Sequence, residues 1–539
     1  MPQGIRFRRA TGAKALLYVI ALTALALIAI PVGYLVVRAA GAGPDAWARL
    51  LDLDTVALAL RSLGLAAAVA ISGVLIATPY AFLTVRCNLP GRQLWAVLGA
   101  LPLVIPSYVG ALALIGAFGP RGLLQQVLEP LGVERLPAIY GFVGAWTALT
   151  LFTYPYVLLI VSSAWRRVDV SLERAARSAG LNSRQTFLRA TLPQLRSSIV
   201  AGALLCALYA LSDFGVVSLM RYNTFTRAIF VHYRSLFDRE GAALLSLILC
   251  VLTVGVLVLE RRVLRGSAFG GRRRVQASDA GSLVRLGKWT APALLFCLLV
   301  SGFALIVPIG VLLWWISSQT ADLPISEQFA TVWPAIVDSL SGSLLAAIVC
   351  VLLALPIAVL SVRSPGRLTG AIEAATYTGF ALPGVVAALG LVFYATRYVL
   401  PLYQTLALLV VAYVIRFLPQ AVGASRAAVE RVSPTLEAAA RGMGETGSGT
   451  FRRVTLPLAG PGVLAGGMLV FLTAMKELPA TLILRPIGFD TLATEIWRQA
   501  AVADYPEAAL PALVLIAISA VPLWLLVIRP GATETGSAD

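Results

Sequence analysis

The chain has little charge for its size. Of its 539 residues, 13% are charged and 59% are hydrophobic, whereas soluble domains carry about 25% charged residues. This composition excludes an ordinary water-exposed surface. The apolar residues stand in blocks of twenty or more, the length that crosses a bilayer as a helix. We therefore expect an all-α polytopic membrane protein.

Residues that bind metals or form disulfides are also scarce. The single histidine, His232, excludes a His-rich metal site, and no CxxC pair occurs. Four of the five cysteines fall inside apolar blocks, so we interpret all five as small core residues. They are Cys87, Cys206, Cys250, Cys297 and Cys350. The sequence gives no firm metal site and no cofactor bound by this chain.

The chain also lacks the features of an enzyme. No GxxxxGK[ST] sequence is present, so the phosphate-binding loop of an ATPase is missing. The apolar blocks contain few acids, and no polar catalytic cluster lies at one membrane depth. We expect a transporter rather than a membrane-embedded enzyme.

The excess of basic residues follows the membrane topology. We count twelve apolar spans, and placing the N-terminus inside puts 29 of the 43 Lys and Arg residues in cytoplasmic segments. The positive-inside rule then predicts that both termini are cytoplasmic. The net charge of +17 therefore does not indicate a nucleic-acid partner. The spans begin near residues 15, 56, 94, 138, 199, 242, 290, 336, 372, 403, 462 and 508.

The two halves of the chain repeat each other, which indicates duplication. Four residues match at a constant offset of 277: Ser62, Pro79, Arg86 and Pro106 with Ser339, Pro356, Arg363 and Pro383. A longer match, at an offset of 264, runs from Pro155 to Gly202 and from Pro419 to Gly466. Six spans per repeat give both repeats the same orientation, around an axis along the membrane normal.

The repeat divides the chain into three parts. We assign residues 1–264 to the first repeat and residues 290–539 to the second. Residues 265–289, rich in Gly, Ser and Arg, form a cytoplasmic linker. Its basic run suits anionic lipid head groups better than a docked partner.

The strongest part of the repeat lies in the longest polar loop of each half. The first loop is SLERAARSAGLNSRQTFLRATLP, residues 171–193, and the second is TLEAAARGMGETGSGTFRRVTLP, residues 435–457. In each, an Ala-rich helix should end at a Gly cap, Gly180 or Gly444. A second short basic helix should then end where Pro193 or Pro457 begins the approach to the next span.

These loops resemble the EAA loop of permeases of ATP-binding-cassette importers. The resemblance implies a type I importer fold, with each loop seated as a coupling helix on one of two cytoplasmic ATPase subunits, which bind ATP and Mg. The position of the motif's own Glu holds Arg174 and Ala438, and the acid stands one residue earlier. The implied coupling residues are Glu173, Ala175, Ala176, Gly180, Leu192, Pro193, Glu437, Ala439, Ala440, Gly444, Leu456 and Pro457.

The segments after the loops, SDFGVVSLMRYNTFTRAIF from Ser212 and MKELPATLILRPIGFDTLATEIW from Met475, resemble ferric-iron permeases. The resemblance implies a cell inner-membrane subunit that imports iron delivered by an extracytoplasmic binding protein. Fused thiamine permeases share the layout, and aminoethylphosphonate or polyamine permeases are further alternatives. A secondary transporter driven by an ion gradient would explain the duplicated spans but not the paired loops.

One acidic residue lies at the matching place in each half. Ionisable groups inside spans are costly and usually face a cavity or a partner, so Asp213 and Glu477 are candidates for the lining of the translocation path. The alternative is that the two acids lock neighbouring helices, with Lys476 or Arg416 as counter-charges. Prolines inside spans, such as Pro106 and Pro383, mark either bends used in transport or tolerated kinks.

Overall fold

The computed structural model describes residues 3–44, 47–48, 52–267, 283–319 and 325–527. The described chain is helical, and its only bridge between extended residues joins Cys87 to Val284. The first half contains α1 (Gln3–Ala40), α2 (Leu53–Arg86), α3 (Arg92–Ala100), α4 (Ser107–Phe118), α5 (Leu123–Leu128), α6 (Phe142–Trp165), α7 (Val170–Ser178), α8 (Ser183–Thr186), α9 (Leu192–Ser212), α10 (Gly215–Leu219), α11 (Phe225–Arg234) and α12 (Arg239–Ser267).

The second half repeats this order of elements with two differences. It contains α13 (Thr290–Ser301), α14 (Val307–Gln319), α15 (Ile325–Arg363), α16 (Arg367–Thr376), α17 (Gly384–Tyr398), α18 (Leu406–Arg431), α19 (Pro434–Gly442), α20 (Gly447–Thr450), α21 (Leu456–Met475), α22 (Pro479–Leu484), α23 (Leu492–Ala501) and α24 (Ala509–Val527). Two helices, α13 and α14, stand where the first half has α1, and no α-helix among the described residues corresponds to α5. Residues 268–282, most of the predicted linker, lie outside the described residues.

Ten of the described helical runs are long and apolar enough to cross a membrane, and an eleventh is the bent pair α16–α17. The remaining predicted span is the shorter apolar helix Ala509–Leu525. Of the twelve spans expected from the sequence, ten or eleven therefore meet the criteria of length and composition among the described residues. A hydropathy pattern detects each apolar block, but it does not show whether the helix within the block is broken or too short to span the membrane.

Two of the breaks occur at the matched prolines. Pro106 immediately precedes α4, and Pro383 immediately precedes α17. The direction of the helix changes by 102° between α16 and α17. Since proline lacks an N–H and disfavours a helical residue before it, these residues begin new helices rather than kink continuous ones. Pro79 and Pro356, by contrast, lie within α2 and α15.

The first membrane helix of each half packs on the other half. Helix α1 contacts α15 and α17, and α14 contacts α4. The approach is close: a Cβ on Gly390 would lie 2.6 Å from the Cβ of Pro31, and a Cβ on Gly116 would clash with the ring of Trp315. This exchange of helices joins the two repeats into one core.

The centre of the bundle and its periphery bury different helices. In α1, 22% of the most apolar stretch is buried inside the protein. The corresponding share is 72% in the run that begins with α4 and 67% in α18. Helix α1 therefore turns most of its apolar surface towards lipid, and α4 and α18 form the interior. All five cysteines are buried.

A pair of serines shows how closely the repeats correspond. The Ser62 hydroxyl accepts a hydrogen bond from the Phe225 N–H at 3.1 Å, at the start of α11. The Ser339 hydroxyl accepts one from the Leu492 N–H at 2.7 Å, at the start of α23. Each serine thereby satisfies a backbone donor that the helix itself leaves unpaired.

Candidate coupling loops and translocation path

The short helices of both loops end in the same backbone motif. Gly180 has φ +85° and Gly444 has φ +94°, the left-handed conformation in which glycine is favoured. Around Gly180, the Leu181 N–H donates to the Ala176 carbonyl at 3.1 Å and the Gly180 N–H to Arg177 at 3.0 Å. The same two bonds surround Gly444. This is the Schellman arrangement, and it ends α7 and α19 where the sequence placed a Gly cap.

The second short helix differs from the sequence expectation. It does not end at Pro193 or Pro457: helix α8 continues into α9, and α20 into α21, through π-helical turns, Phe187–Thr191 and Phe451–Thr455. Proline has no backbone N–H to donate, and the π turn before it changes the hydrogen-bonding pattern at this point. The helical run therefore continues without interruption. Each loop is therefore joined rigidly to a membrane helix.

The glutamates of the loops bind residues of their own chain. The Arg86 guanidinium lies 2.8 Å from a Glu173 carboxylate oxygen, and the Thr191 hydroxyl donates to the other oxygen at 2.9 Å. Arg86 is in the last turn of α2. Glu173 consequently connects α7 to the end of a membrane helix and to the π turn.

The second half repeats this three-residue clamp. Arg363 lies 3.0 Å from Glu437, and the Thr455 hydroxyl donates to the same carboxylate oxygen at 2.8 Å. Arg363 also donates to the carbonyls of Val429 and Val432, at 3.2 and 2.9 Å. The Glu173 and Glu437 side chains are 14% and 10% exposed, so both acids point into the permease chain and leave little carboxylate surface for a partner.

Only part of each predicted coupling set is exposed. Ala175 and Ala439 are exposed, whereas Ala440 is 4% exposed. Leu172 and Leu436 are each 50% exposed and extend the outer surface of α7 and α19. The exposed surface of α7 also carries Arg174 and Arg177, so it combines a leucine and a small residue with two basic side chains. Sequence reasoning gave no role to Arg86, Arg363, Thr191 or Thr455, although all four stand at matched positions of the repeat.

The Asp213 carboxylate lies at the end of α9 among neutral donors. The Ser107 hydroxyl donates to it at 2.7 Å, and the Val216 N–H donates at 2.8 Å. The Tyr209 hydroxyl donates to Ser107 at 3.3 Å. Asp213 is 9% exposed and so is held in the interior by uncharged groups.

Glu477, its counterpart, is held by a charge. The Arg416 guanidinium donates to it in an ion pair, and the Ala480 N–H donates at 3.2 Å. Gly384 stands where the first half has Ser107 and leaves room for this pair, since a Cβ there would lie 2.5 Å from the Glu477 carboxylate. In this conformation Arg416 is the counter-charge of Glu477, as the alternative of locked neighbouring helices expects.

Both acids lie in the buried interior of the bundle, where Asp213 is 9% exposed and Glu477 is 7% exposed. Lys476 reaches across the halves, and its ammonium group donates to the Leu103 carbonyl at 2.8 Å. The centre thus holds two acids and two cations, Arg416 and Lys476. No group of three or more His, Cys, Asp or Glu side chains able to hold a metal occurs among the described residues.

The model of the family described as "Binding-protein-dependent transport system inner membrane component" matches residues 73–263 and 351–529, more than half of the chain. Both matched regions include one of the paired loops and one of the central acids. The chain belongs to this permease family. It is the multi-pass inner-membrane component of an ATP-binding-cassette importer, a non-catalytic subunit that works with an ATPase and a binding protein.

Curated relatives of the permease transport several substrates. The chain is 33% identical over 506 residues to the Fe(3+)-transport system permease protein FbpB 2 of Haemophilus influenzae, covering 93% of this chain and 95% of that protein. It is 28% identical over 350 residues to the thiamine transport system permease protein ThiP of Brucella suis, covering 64% and 62%. The molybdenum transport system permease protein ModB of Mycobacterium tuberculosis is 28% identical over 247 residues, 45% of this chain and 91% of that protein.

Proposed function

We propose that the permease imports ferric iron delivered by an extracytoplasmic binding protein. The observation that carries this substrate is the 33% identity to a ferric-iron permease, which extends over 93% of the chain. The thiamine permease similarity covers 64%. Because both halves contribute to the central path, a relative aligned along both halves is the more informative about the substrate.

The face of the bundle with the two loops is the cytoplasmic face. The 29 of 43 Lys and Arg residues that belong to the loop side of the predicted topology support this orientation. Two copies of a cytoplasmic ATPase, which bind ATP and Mg, then dock on the exposed surfaces of α7 and α19. The pseudo-symmetry of the loops matches the symmetry of such a dimer.

The clamps supply the connection from ATPase to membrane. A displacement of α7 is transmitted to α2 through Glu173 and Arg86, and to α9 through Thr191 and the continuous helix. The second half transmits motion in the same way through Glu437. Closure of the ATPase dimer therefore moves two membrane helices of each half together, which turns the path from inward-facing to outward-facing.

The central acids are the proposed lining of the path. Carboxylate oxygen is a hard ligand that suits a hard ferric ion, and Asp213 and Glu477 are buried at the meeting of the two repeats. Arg416 neutralises Glu477 in the structure. A ferric ion that enters the path replaces the Arg416 guanidinium as the partner of Glu477. The buried carboxylate is therefore not left without a counter-charge.

The ATPase rate of the reconstituted complex tests the substrate. Binding protein loaded with ferric iron should stimulate ATP hydrolysis above the rate obtained with the empty protein, since productive docking shifts the permease between its two states. A thiamine-binding protein serves as the comparison. Stimulation by the thiamine-loaded protein alone would retain the importer and reject iron as its substrate.

A further inference from the structure

A cavity of about 500 Å³ opens at the seam between the halves, on the face opposite the loops. This volume falls within the range of small-molecule sites, about 300–1,000 Å³. Both halves contribute to its wall: Arg121, Arg135 and Tyr140 come from the first, and Trp314, Trp315 and Tyr505 from the second. No carboxylate belongs to the described residues that line it.

The backbone holds the two arginines side by side. The Leu136 N–H donates to the Pro120 carbonyl at 3.2 Å, which joins the segment of Arg135 to that of Arg121. The loop before Arg121 lies tightly on the end of α4. A Cβ on Gly122 would approach the Gly116 carbonyl oxygen to 2.6 Å. These contacts hold the backbone at the cavity mouth, and Arg121 and Arg135 both belong to its lining.

The two arginines of this mouth have no acidic partner among the described residues. Within the part of the chain that the structure describes, neither Arg121 nor Arg135 forms an ion pair or a hydrogen bond through its side chain. A third cation is nearby, since the Arg221 guanidinium lies 4.9 Å from the centroid of the Tyr140 ring. Guanidinium groups match oxyanions in shape as well as charge, because they offer paired donors.

The floor of the cavity is aromatic and neutral. Trp315 is 5% exposed, and its ring stacks on that of Tyr505 with centroids 6.2 Å apart. Burial, together with the hydrogen bond to Tyr140, raises the pKa of Tyr505 to about 12. The Tyr505 phenol therefore remains protonated and adds no negative charge that would repel an anion.

We propose that this cavity is an oxyanion site that binds a phosphate group, with Arg121 and Arg135 as its ligands and the Trp315–Tyr505 pair as its floor. Two sources share this chemistry: the head group of an anionic phospholipid and free inorganic phosphate. Trp and Tyr concentrate where helices leave the bilayer, and guanidinium groups bind phosphate through paired, charge-assisted hydrogen bonds. The occupant contacts both halves, so its binding is coupled to their relative position.

The test is binding by the assembled permease and ATPase complex in nanodiscs, with two arms. One arm uses phosphatidylglycerol nanodiscs and counts retained lipid by native mass spectrometry. The other uses phosphatidylcholine nanodiscs and measures binding of radiolabelled inorganic phosphate. Arg121→Gln/Arg135→Gln should weaken binding about tenfold or more in the arm that detects the ligand, as expected for the loss of charge-assisted hydrogen bonds.

Two variants control for charge and folding. Arg121→Lys/Arg135→Lys keeps the charge and should retain most of the binding. Arg61→Gln/Arg397→Gln removes two exposed arginines outside the cavity and should leave binding unchanged. Absence of binding in both arms would overturn the proposal, as would equal binding by wild type and Arg121→Gln/Arg135→Gln. An equal loss of binding in the Arg61→Gln/Arg397→Gln control would also overturn the proposal, because the weaker binding would then reflect the loss of positive surface charge in general.

Discussion

Arg86 and Glu173 join the last turn of membrane helix α2 to the first turn of surface helix α7, with 2.8 Å between guanidinium and carboxylate. Arg363 and Glu437 form the same connection in the second half at 3.0 Å. These pairs turn two short helices into extensions of the membrane bundle. In the docking that we propose, an ATPase subunit that displaces α7 or α19 displaces a membrane helix with it.

Reversal of one charge in a clamp should uncouple ATP hydrolysis from transport. Arg363→Glu places two carboxylates together, and we expect at least about a tenfold loss of ATP-dependent uptake, because one unpaired, partly buried acid costs more than 1.4 kcal/mol. Uptake and ATPase rate are measured together in proteoliposomes. Arg363→Glu/Glu437→Arg, which restores opposite charges, should recover part of the uptake.

The matched control for this charge reversal is Arg431→Glu. Arg431 ends α18 on the same face and forms no ion pair among the described residues. The Arg431→Glu variant should keep most of the wild-type uptake. If Arg431→Glu loses as much uptake as Arg363→Glu, or if the double reversal recovers nothing, the clamp does not transmit motion.

The glycine caps should not tolerate a side chain. Gly180→Asp and Gly444→Asp each place a Cβ in the left-handed region, at a cost of about 1–2 kcal/mol, and each adds an acid to the surface offered to the ATPase. We expect both variants to reach the membrane at normal abundance and to fail in uptake. Gly442→Asp, in the last turn of α19, has no positive φ and no neighbour within 4 Å of its Cβ; it should transport better than Gly444→Asp.

Substitution of Gly384 should disturb the central ion pair. The Cβ of Gly384→Ala would lie 2.5 Å from the Glu477 carboxylate and 2.8 Å from the Arg416 guanidinium. Overpacking of this kind costs about 1–3 kcal/mol, so we expect a lower melting temperature of the purified permease. Gly370→Ala has no atom within 4 Å of its Cβ and should melt like wild type. Equal melting of the two variants would show that the centre can relax around Gly384.

Neutral substitutions of the central acids should separate a path role from a locking role. Asp213→Asn and Glu477→Gln are expected to lose uptake while iron-loaded binding protein still stimulates ATP hydrolysis, because docking and coupling lie elsewhere. Arg416→Glu/Glu477→Arg restores a pair but reverses its direction. If this double variant transports normally, the pair only locks helices and the carboxylate at position 477 does not face cargo.

The sequence was sufficient for features that depend on local pattern. Hydropathy located the spans, and the constant offset between Ser171–Pro193 and Thr435–Pro457 identified the paired loops. The Gly caps at Gly180 and Gly444 followed from one glycine after an Ala-rich turn. The spans and the caps are encoded by residues close together in the chain, and the paired loops are recognised because one local pattern occurs twice.

Other features depend on partners far apart in the chain. The clamp joins residues 87 positions apart, Arg86 and Glu173, and no local pattern pairs them. The exchange of α1 and α14 between halves depends on close contacts such as Gly390 with Pro31. Asp213 and Glu477 match in sequence but have different partners, because Ser107 is replaced by Gly384. The continuity of α8 with α9 was missed because proline usually ends a helix.

We propose that this permease delivers ferric iron across the membrane at the expense of ATP. The most direct measurement is uptake of radiolabelled ferric iron, with labelled thiamine as competitor, into proteoliposomes that contain the permease, its ATPase and its binding protein. We expect the vesicles to accumulate iron but not thiamine, and we expect this accumulation to be abolished when the ATPase carries an inactive catalytic site. Accumulation of thiamine but not iron would contradict the substrate, and accumulation that persists without ATP hydrolysis would contradict the mechanism.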